Sequence, residues 1–203
     1  MNDTQRTGNR RILHLCDFDG TLTWGDSLLR FLFFAVPISR LLVGGLDLMV
    51  KFFTLILAMK WSKSAGKAAV LSTFFKGKTA REMRTLGADF CQKEIPAMLR
   101  VALLEQLRYA HQNGETVVVV SASPDVWLRP FCAEEGFELL CTELEYVEDK
   151  FTGQFSTPNC NGAEKAARIQ AAYDLDAFEK IVAYGNSKAD GSMYDLATKV
   201  FKF

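Results

Sequence analysis

A chain of 203 residues with 49% hydrophobic composition is long enough for one core domain with an inserted subdomain and too short for two large independent domains. Twenty-four lysines and arginines balance 24 aspartates and glutamates, which argues against a nucleic-acid partner drawn by net positive charge. The five cysteines, Cys16, Cys91, Cys132, Cys141 and Cys160, are odd in number and never spaced C-x-x-C, so they read as reduced structural thiols rather than a disulfide or zinc framework.

From the N-terminus, Met1 to Arg11 are polar and basic and read as a mobile tail. The apolar run that follows, Ile12 to Cys16, stops at Asp17, short of the about 7 to 15 residues of a signal-peptide core, and reads instead as a strand buried on both faces. Two more such runs, Thr116 to Val120 after the turn pair Asn113-Gly114 and Ile181 to Tyr184 before Gly185, predict further buried strands. Helical patterns cover Ala97 to His111, Val126 to Glu135 and Ala163 to Tyr173, while Cys141 to Val147 and Phe151 to Phe155 flank a turn at Glu148 to Lys150, as in a β-hairpin. Short apolar strands alternating with helices predict an α/β fold with a doubly wound parallel sheet, built from residues 12–23 and 115–203. Residues 24–114 are too many for a simple crossover and predict a helical cap inserted between the first and second strands.

Within that insert, Leu41 to Met59 forms a 19-residue apolar stretch, long enough for a membrane helix. Yet Arg40, Gly44, Asp47, Lys51, Thr54 and Ala58 recur in steps of four and three and share one stripe, and Asp47 and Lys51 are spaced to pair. Two readings stay open: peripheral membrane association through 41–59, and a buried cap helix or oligomer interface.

Ligands gather beyond the carboxyl ends of strands in such sheets, so the residues after each apolar run carry the candidate chemistry. Directly after the first strand stands Asp17-Phe18-Asp19-Gly20-Thr21-Leu22-Thr23, where two carboxylates two residues apart project to the same side and Gly20 lets the backbone turn away. One carboxylate can attack phosphorus and the other can give and take the proton, provided a metal masks their charge. A calcium loop would need Gly at its sixth position and Glu at its twelfth, where this chain has Leu22 and Leu28.

The segment D-F-D-G-T-L-T resembles the first motif of the haloacid dehalogenase superfamily, and three later segments resemble the other motifs in order. These are Val117 to Ser123 with S-A-S after a buried strand, Asn161-Gly162-Ala163-Glu164-Lys165, and Tyr184-Gly185-Asn186-Ser187-Lys188-Ala189-Asp190. The resemblance implies a phosphatase in which Asp17 is the nucleophile and Asp19 the acid and base. Ser121 and the backbone N–H of Ala122 at a helix-entry turn would bind phosphoryl oxygens, together with Lys165. It implies Mg²⁺ held by Asp17, the carbonyl of Asp19 and Asn186, with Asp190 orienting Lys165 or a metal-bound water. The family's fourth motif usually begins Gly-Asp; Gly185-Asn186 loses one charge there and implies weaker metal binding.

The cap position and the S-A-S segment are similar to the phosphoserine-phosphatase-like branch, subfamily IB. The apolar insert and the stretch Trp24 to Leu32 are similar to the bacterial phosphatidylglycerophosphatase C group. Asp26, nine residues after Asp17, stands where that branch carries a substrate-contacting carboxylate, and it reads equally as the cap of a helix starting at Ser27. The expected partner is a phosphorylated small molecule or lipid; a noncatalytic binding module and a phosphotransferase remain alternatives. Lys60, Lys63, Lys67, Lys76 and Lys78 flank the apolar segment as candidates for anionic headgroups or as a solvated face. The expected location is cytoplasmic, with the inner face of the membrane as the variant the insert suggests.

Overall fold

The computed structural model of the chain describes residues 11–57 and 63–203. Residues 1–10 of the expected tail at 1–11, and Ala58, Met59 and Lys60, lie outside the described residues, while Arg11 is tied to the domain by its carbonyl, which accepts from the Glu179 N–H at 2.9 Å. The strands in chain order are β1 (Ile12–Cys16), β2 (Thr116–Pro124), β3 (Glu138–Thr142), β4 (Leu144–Val147), β5 (Lys150–Phe155), β6 (Lys180–Gly185) and β7 (Lys199–Lys202). Five of them form one wholly parallel sheet in the order β3-β2-β1-β6-β7, and β4 pairs with β5 as an antiparallel hairpin.

The central strands β1, β2 and β6 are largely apolar because both sheet faces are covered. Leu13, Leu15, Val118, Val120, Ile181 and Ala183 point into one core, with Ile169 and Met193, while Cys16, Val117, Val119, Val182 and Tyr184 point into the other. The first core is closed by α8 (Ala163–Ala172) and α9 (Gly191–Tyr194), the second by α6 (Val101–Gln112), α7 (Asp125–Glu135) and the insert. β1 lies at the centre with β2 on one side and β6 on the other, so the crevice at the strand-order reversal opens beyond the carboxyl end of β1, where Asp17 stands.

The insert contributes α1 (Ser27–Ala35), α2 (Ile38–Leu57), α3 (Lys63–Phe75), α4 (Ala80–Lys93) and α5 (Ile95–Met98). α4 starts at a capping box, in which Thr79 and Glu82 satisfy each other's backbone N–H, and packs along α7. The junction is aromatic: Phe31 of α1 lies 4.7 Å from Trp127 of α7 and 5.3 Å from Phe90 of α4, centroid to centroid, and 5.2 Å from Phe75. The two chain crossings between sheet and insert run side by side, Thr23 bridging Leu99 and the Trp24 N–H donating to the Met98 carbonyl at 2.8 Å.

Several elements differ from the sequence expectation. The helix expected over Ala97 to His111 is two helices, because Leu99 takes an extended conformation to bridge Thr23 and so breaks the turn-to-turn hydrogen bonding. The expected hairpin arm from Cys141 belongs in part to β3, and the chain passes to β4 through Glu143, whose N–H donates to Thr157 Oγ1. β2 continues past Val120 to Pro124, so Ser121 and Ala122 are extended backbone rather than a helix-entry turn. Among the described residues, no helix is long and apolar enough to cross a membrane.

Candidate active site

Asp17 follows β1 directly, its backbone N–H tied to the Tyr184 carbonyl of β6 at 2.9 Å. Its carboxylate accepts from Lys165 Nζ at 2.6 Å on one oxygen and from the Thr21 hydroxyl at 2.8 Å on the other. Lys165 reaches it from the first turn of α8, and the same Nζ donates to Asp190 at 2.6 Å. All three side chains are buried, Lys165 and Asp190 each 1% exposed, so the pairings offset a large desolvation penalty. Burial opposes the charge on Lys165, but the two flanking carboxylates outweigh it and raise its pKa. Burial likewise opposes the charge of Asp190, yet Lys165 and the Ser187 donors win and hold its pKa below the usual aspartate value. For Asp17, burial pushes the carboxyl up against the pull of Lys165 and Thr21.

Asp19 sits in a different setting. The Ser27 N–H at the start of α1 donates to one oxygen at 2.7 Å and the Ser123 hydroxyl donates to the other. Among the described residues no cation is bonded to it, and burial raises its pKa in spite of these two donors. Between the two aspartates the chain turns through the kinked segment Phe18–Leu22, where Gly20 takes φ 76°. A side chain at Gly20 would stand 1.9 Å from Asn186 Nδ2, so glycine serves both the left-handed turn and the approach of Asn186.

Asp17, Asp19, Ser121, Lys165, Asn186 and Asp190 therefore line one pocket of about 230 Å³, together with Ala122 and Asp26 at its edge. Residues at the ends of β1, β2 and β6 are brought together by the parallel sheet, which delivers each of these segments to the same side, and Lys165 joins them from the first turn of α8. A family model for haloacid dehalogenase-like hydrolases matches residues 15–195, an interval that contains all of these side chains. The chain is a haloacid dehalogenase-like hydrolase.

Protein CicA of Caulobacter vibrioides is 30% identical over 198 residues, spanning 96% of this chain and 86% of that protein. In fold, the hydrolase superposes on a Bordetella pertussis Tohama I protein of unknown function with a TM-score of 0.75 at 20% identity, covering 94% and 89% of the two chains. It also superposes on a substrate-bound phosphoserine phosphatase complex (TM-score 0.63, 16% identity, 96% and 86% covered). A phospho-aspartyl intermediate analogue of phosphoserine phosphatase gives a TM-score of 0.62 at 18% identity, with 94% and 85% covered.

On the hydrolase's pocket wall, three hard oxygen donors suit a divalent cation: the Asp17 carboxylate, the Asp19 carbonyl and the Asn186 amide. Asn186 Nδ2 donates to the Asp19 carbonyl at 3.3 Å, and a half-turn of that amide presents its oxygen beside the same carbonyl. Among the described residues, no three His, Cys, Asp or Glu side chains cluster as a metal site, because two of these donors are a backbone carbonyl and an amide. Asp190 accepts from the backbone N–H of Asn186 and Ser187 and from the Ser187 hydroxyl, so it orients Lys165 and fixes the Asn186 backbone. Asp26 caps α1, accepting from the Leu29 N–H at 3.0 Å, while also bordering the pocket.

Four residues of the hydrolase's site drew no role in it from the sequence. Thr21 clamps the Asp17 carboxylate, Ser123 and Ser27 hold Asp19, and Lys67 of α3 donates to the Ala122 carbonyl at 3.3 Å inside the pocket. For Thr21 and Ser123 the signal was present, since each lies within a motif already identified. The sequence offers Lys67 only as a candidate for anionic headgroups or a solvated face, and its spacing carries no sign of the pocket.

Proposed function

We propose that this hydrolase is a magnesium-dependent phosphatase that cleaves a small or lipid-like phosphomonoester through an aspartyl phosphate on Asp17. The observation that carries the reading is the division of labour between two carboxylates two residues apart. Burial pushes both carboxyls up, but Asp17 is oriented by Lys165 and Thr21, and the lysine favours its charged form, whereas among the described residues Asp19 is bonded to neutral donors and is thereby the better suited to hold a proton.

In the first step an Asp17 oxygen attacks phosphorus, the bond from phosphorus to the leaving oxygen breaks, and Asp19 delivers its proton to that oxygen. In the second, Asp19 takes a proton from water as the water oxygen attacks phosphorus, and the bond to Asp17 breaks to release phosphate. Ser121 and the Ala122 N–H, both at the pocket, are placed to receive phosphoryl oxygens, and Lys165 offsets their charge. A bound Mg²⁺ would neutralise further charge on the phosphoryl group, held by Asp17, the Asp19 carbonyl and Asn186. Asp26 also borders an apolar trough formed by Trp24, Leu29, Phe33 and Met98, which supports a leaving group with apolar character.

The test is phosphate release from phosphatidylglycerophosphate, phosphoserine and a generic aryl phosphate with added Mg²⁺. Asp17→Asn is expected to lower turnover by about three orders of magnitude or more, and Asp19→Asn by roughly two to four. Turnover unchanged in Asp17→Asn would overturn the aspartyl mechanism. The substrate that is turned over fastest would decide between lipid and soluble metabolite.

A further inference from the structure

The insert helix α2 keeps one face on the protein and turns a second apolar face to solvent. Toward the protein, Leu41 packs against the core and Gly44 lies against Phe74 so closely that a side chain there would meet the ring; at the edge of that face Asp47 pairs with Lys51 at 2.7 Å, and Thr73 of α3 donates to Asp47 and accepts from Lys51. A further set of apolar residues faces outward. Ile38, Leu42, Val43, Leu46, Met49 and Val50 fall on one arc of the helix and are 57–74% exposed. Exposed apolar side chains scattered singly are ordinary, but a continuous arc over three turns is an interaction surface. On α1, Leu29 and Phe33 add further exposed apolar area.

Charge decides what covers this face. Residues 24–114 carry 13 of the 24 lysines and arginines but only six of the 24 aspartates and glutamates, so the insert is strongly basic and the rest of the chain correspondingly acidic. Two copies meeting through α2 would bring two basic inserts together, an unfavourable approach. A bilayer core is no better a partner, since Arg40, Asp47 and Lys51 interrupt the helix and no described helix can span. An apolar arc set in an insert of net positive charge matches an anionic lipid surface, where the arc enters the acyl boundary and the insert's net charge favours the approach.

We propose that the outward face of α2 docks this protein in the plane of an anionic membrane surface. The proposal does not depend on the proposed reaction, because binding is read without turnover. The full chain is pelleted with vesicles of phosphatidylcholine alone and with vesicles containing about 30 mol % phosphatidylglycerol. The expected result is binding to the anionic vesicles on the order of tenfold stronger than to the neutral ones, and weakened by salt. The triple substitution L42E/L46E/V50E is expected to reduce that binding by about tenfold or more while circular dichroism stays native. Should the triple variant lose helicity, V43S/V50S is expected to weaken binding about threefold with the helix kept. Failure of the native chain to pellet with anionic vesicles, or equal pelleting of folded variants, would overturn the proposal. So would a native dimer that the same substitutions convert to monomer, since a second copy would then own the face.

Discussion

Two aspartates a residue apart diverge because their neighbours do. Asp17 meets a buried lysine, and Asp19 meets a backbone N–H and a hydroxyl. A carboxyl whose folded pKa is raised penalises the folded state above its unfolded pKa, fully once pH exceeds the folded value, and not at all well below the unfolded one. Asp19→Asn is therefore expected to melt at a higher temperature than the native protein at pH 7 in metal-free buffer. The advantage should shrink as pH falls toward the unperturbed aspartate value of 3.8, because both forms are then neutral. An amide can still accept from Ser27 and donate to Ser123, so the comparison isolates the charge; thermal melts across pH check it. In the proposed reaction, the charge that Asn186 lacks would act on the cation instead. Asn186→Asp is expected to lower the Mg²⁺ concentration for half-maximal activation by about tenfold, measured by metal titration of phosphate release.

At the scale of elements, the insert is joined to the sheet domain by aromatic packing more than by hydrogen bonds. Trp127 of α7 is fully buried, tilted against Phe31 of α1 and edge-on to Phe90 of α4, and its indole N–H donates to the Ser27 hydroxyl at 3.1 Å. Ser27 in turn presents its N–H to Asp19, so the same tryptophan supports both the seam and the proposed acid. Trp127→Ala is expected to cost about 3–5 kcal/mol of stability, read from urea unfolding monitored by circular dichroism. Trp127→Phe keeps most of the packing and loses the hydrogen bond, so it should lower turnover more than stability. The helix break at Leu99 belongs to the same scale: the two crossings of the chain must pair, and that pairing overrides the helical pattern over Ala97 to His111.

For the whole molecule, the two cores on either face of the sheet hold all five cysteines as small apolar side chains. Burial pushes every one of these thiols up, Cys91 and Cys160 to about 11. The native protein is therefore expected to react negligibly with an aromatic disulfide reagent at neutral pH, and all five thiols to react after unfolding, at a rate that follows global unfolding across a urea series. A thiol that reacts rapidly in the native protein would show that one core opens locally.

The sequence by itself determined the parallel sheet, the order of the site segments and the pair of carboxylates after the first strand. Each is set by local chemistry: apolar runs of strand length, a glycine that permits a turn, and charged residues placed directly after a strand. It also carried the Asp47 to Lys51 pairing, which needs only helical spacing. Tertiary structure alone decided the rest. Lys67 enters the pocket from α3, Ser123 reaches Asp19 from 104 residues away, and Ser121 stays extended because it pairs with Cys141 of β3, so partners distant in the chain dictate those positions. Which side of α2 faces outward was equally beyond the pattern, for periodicity defines two faces of a helix and only packing against α3 says which one the protein keeps.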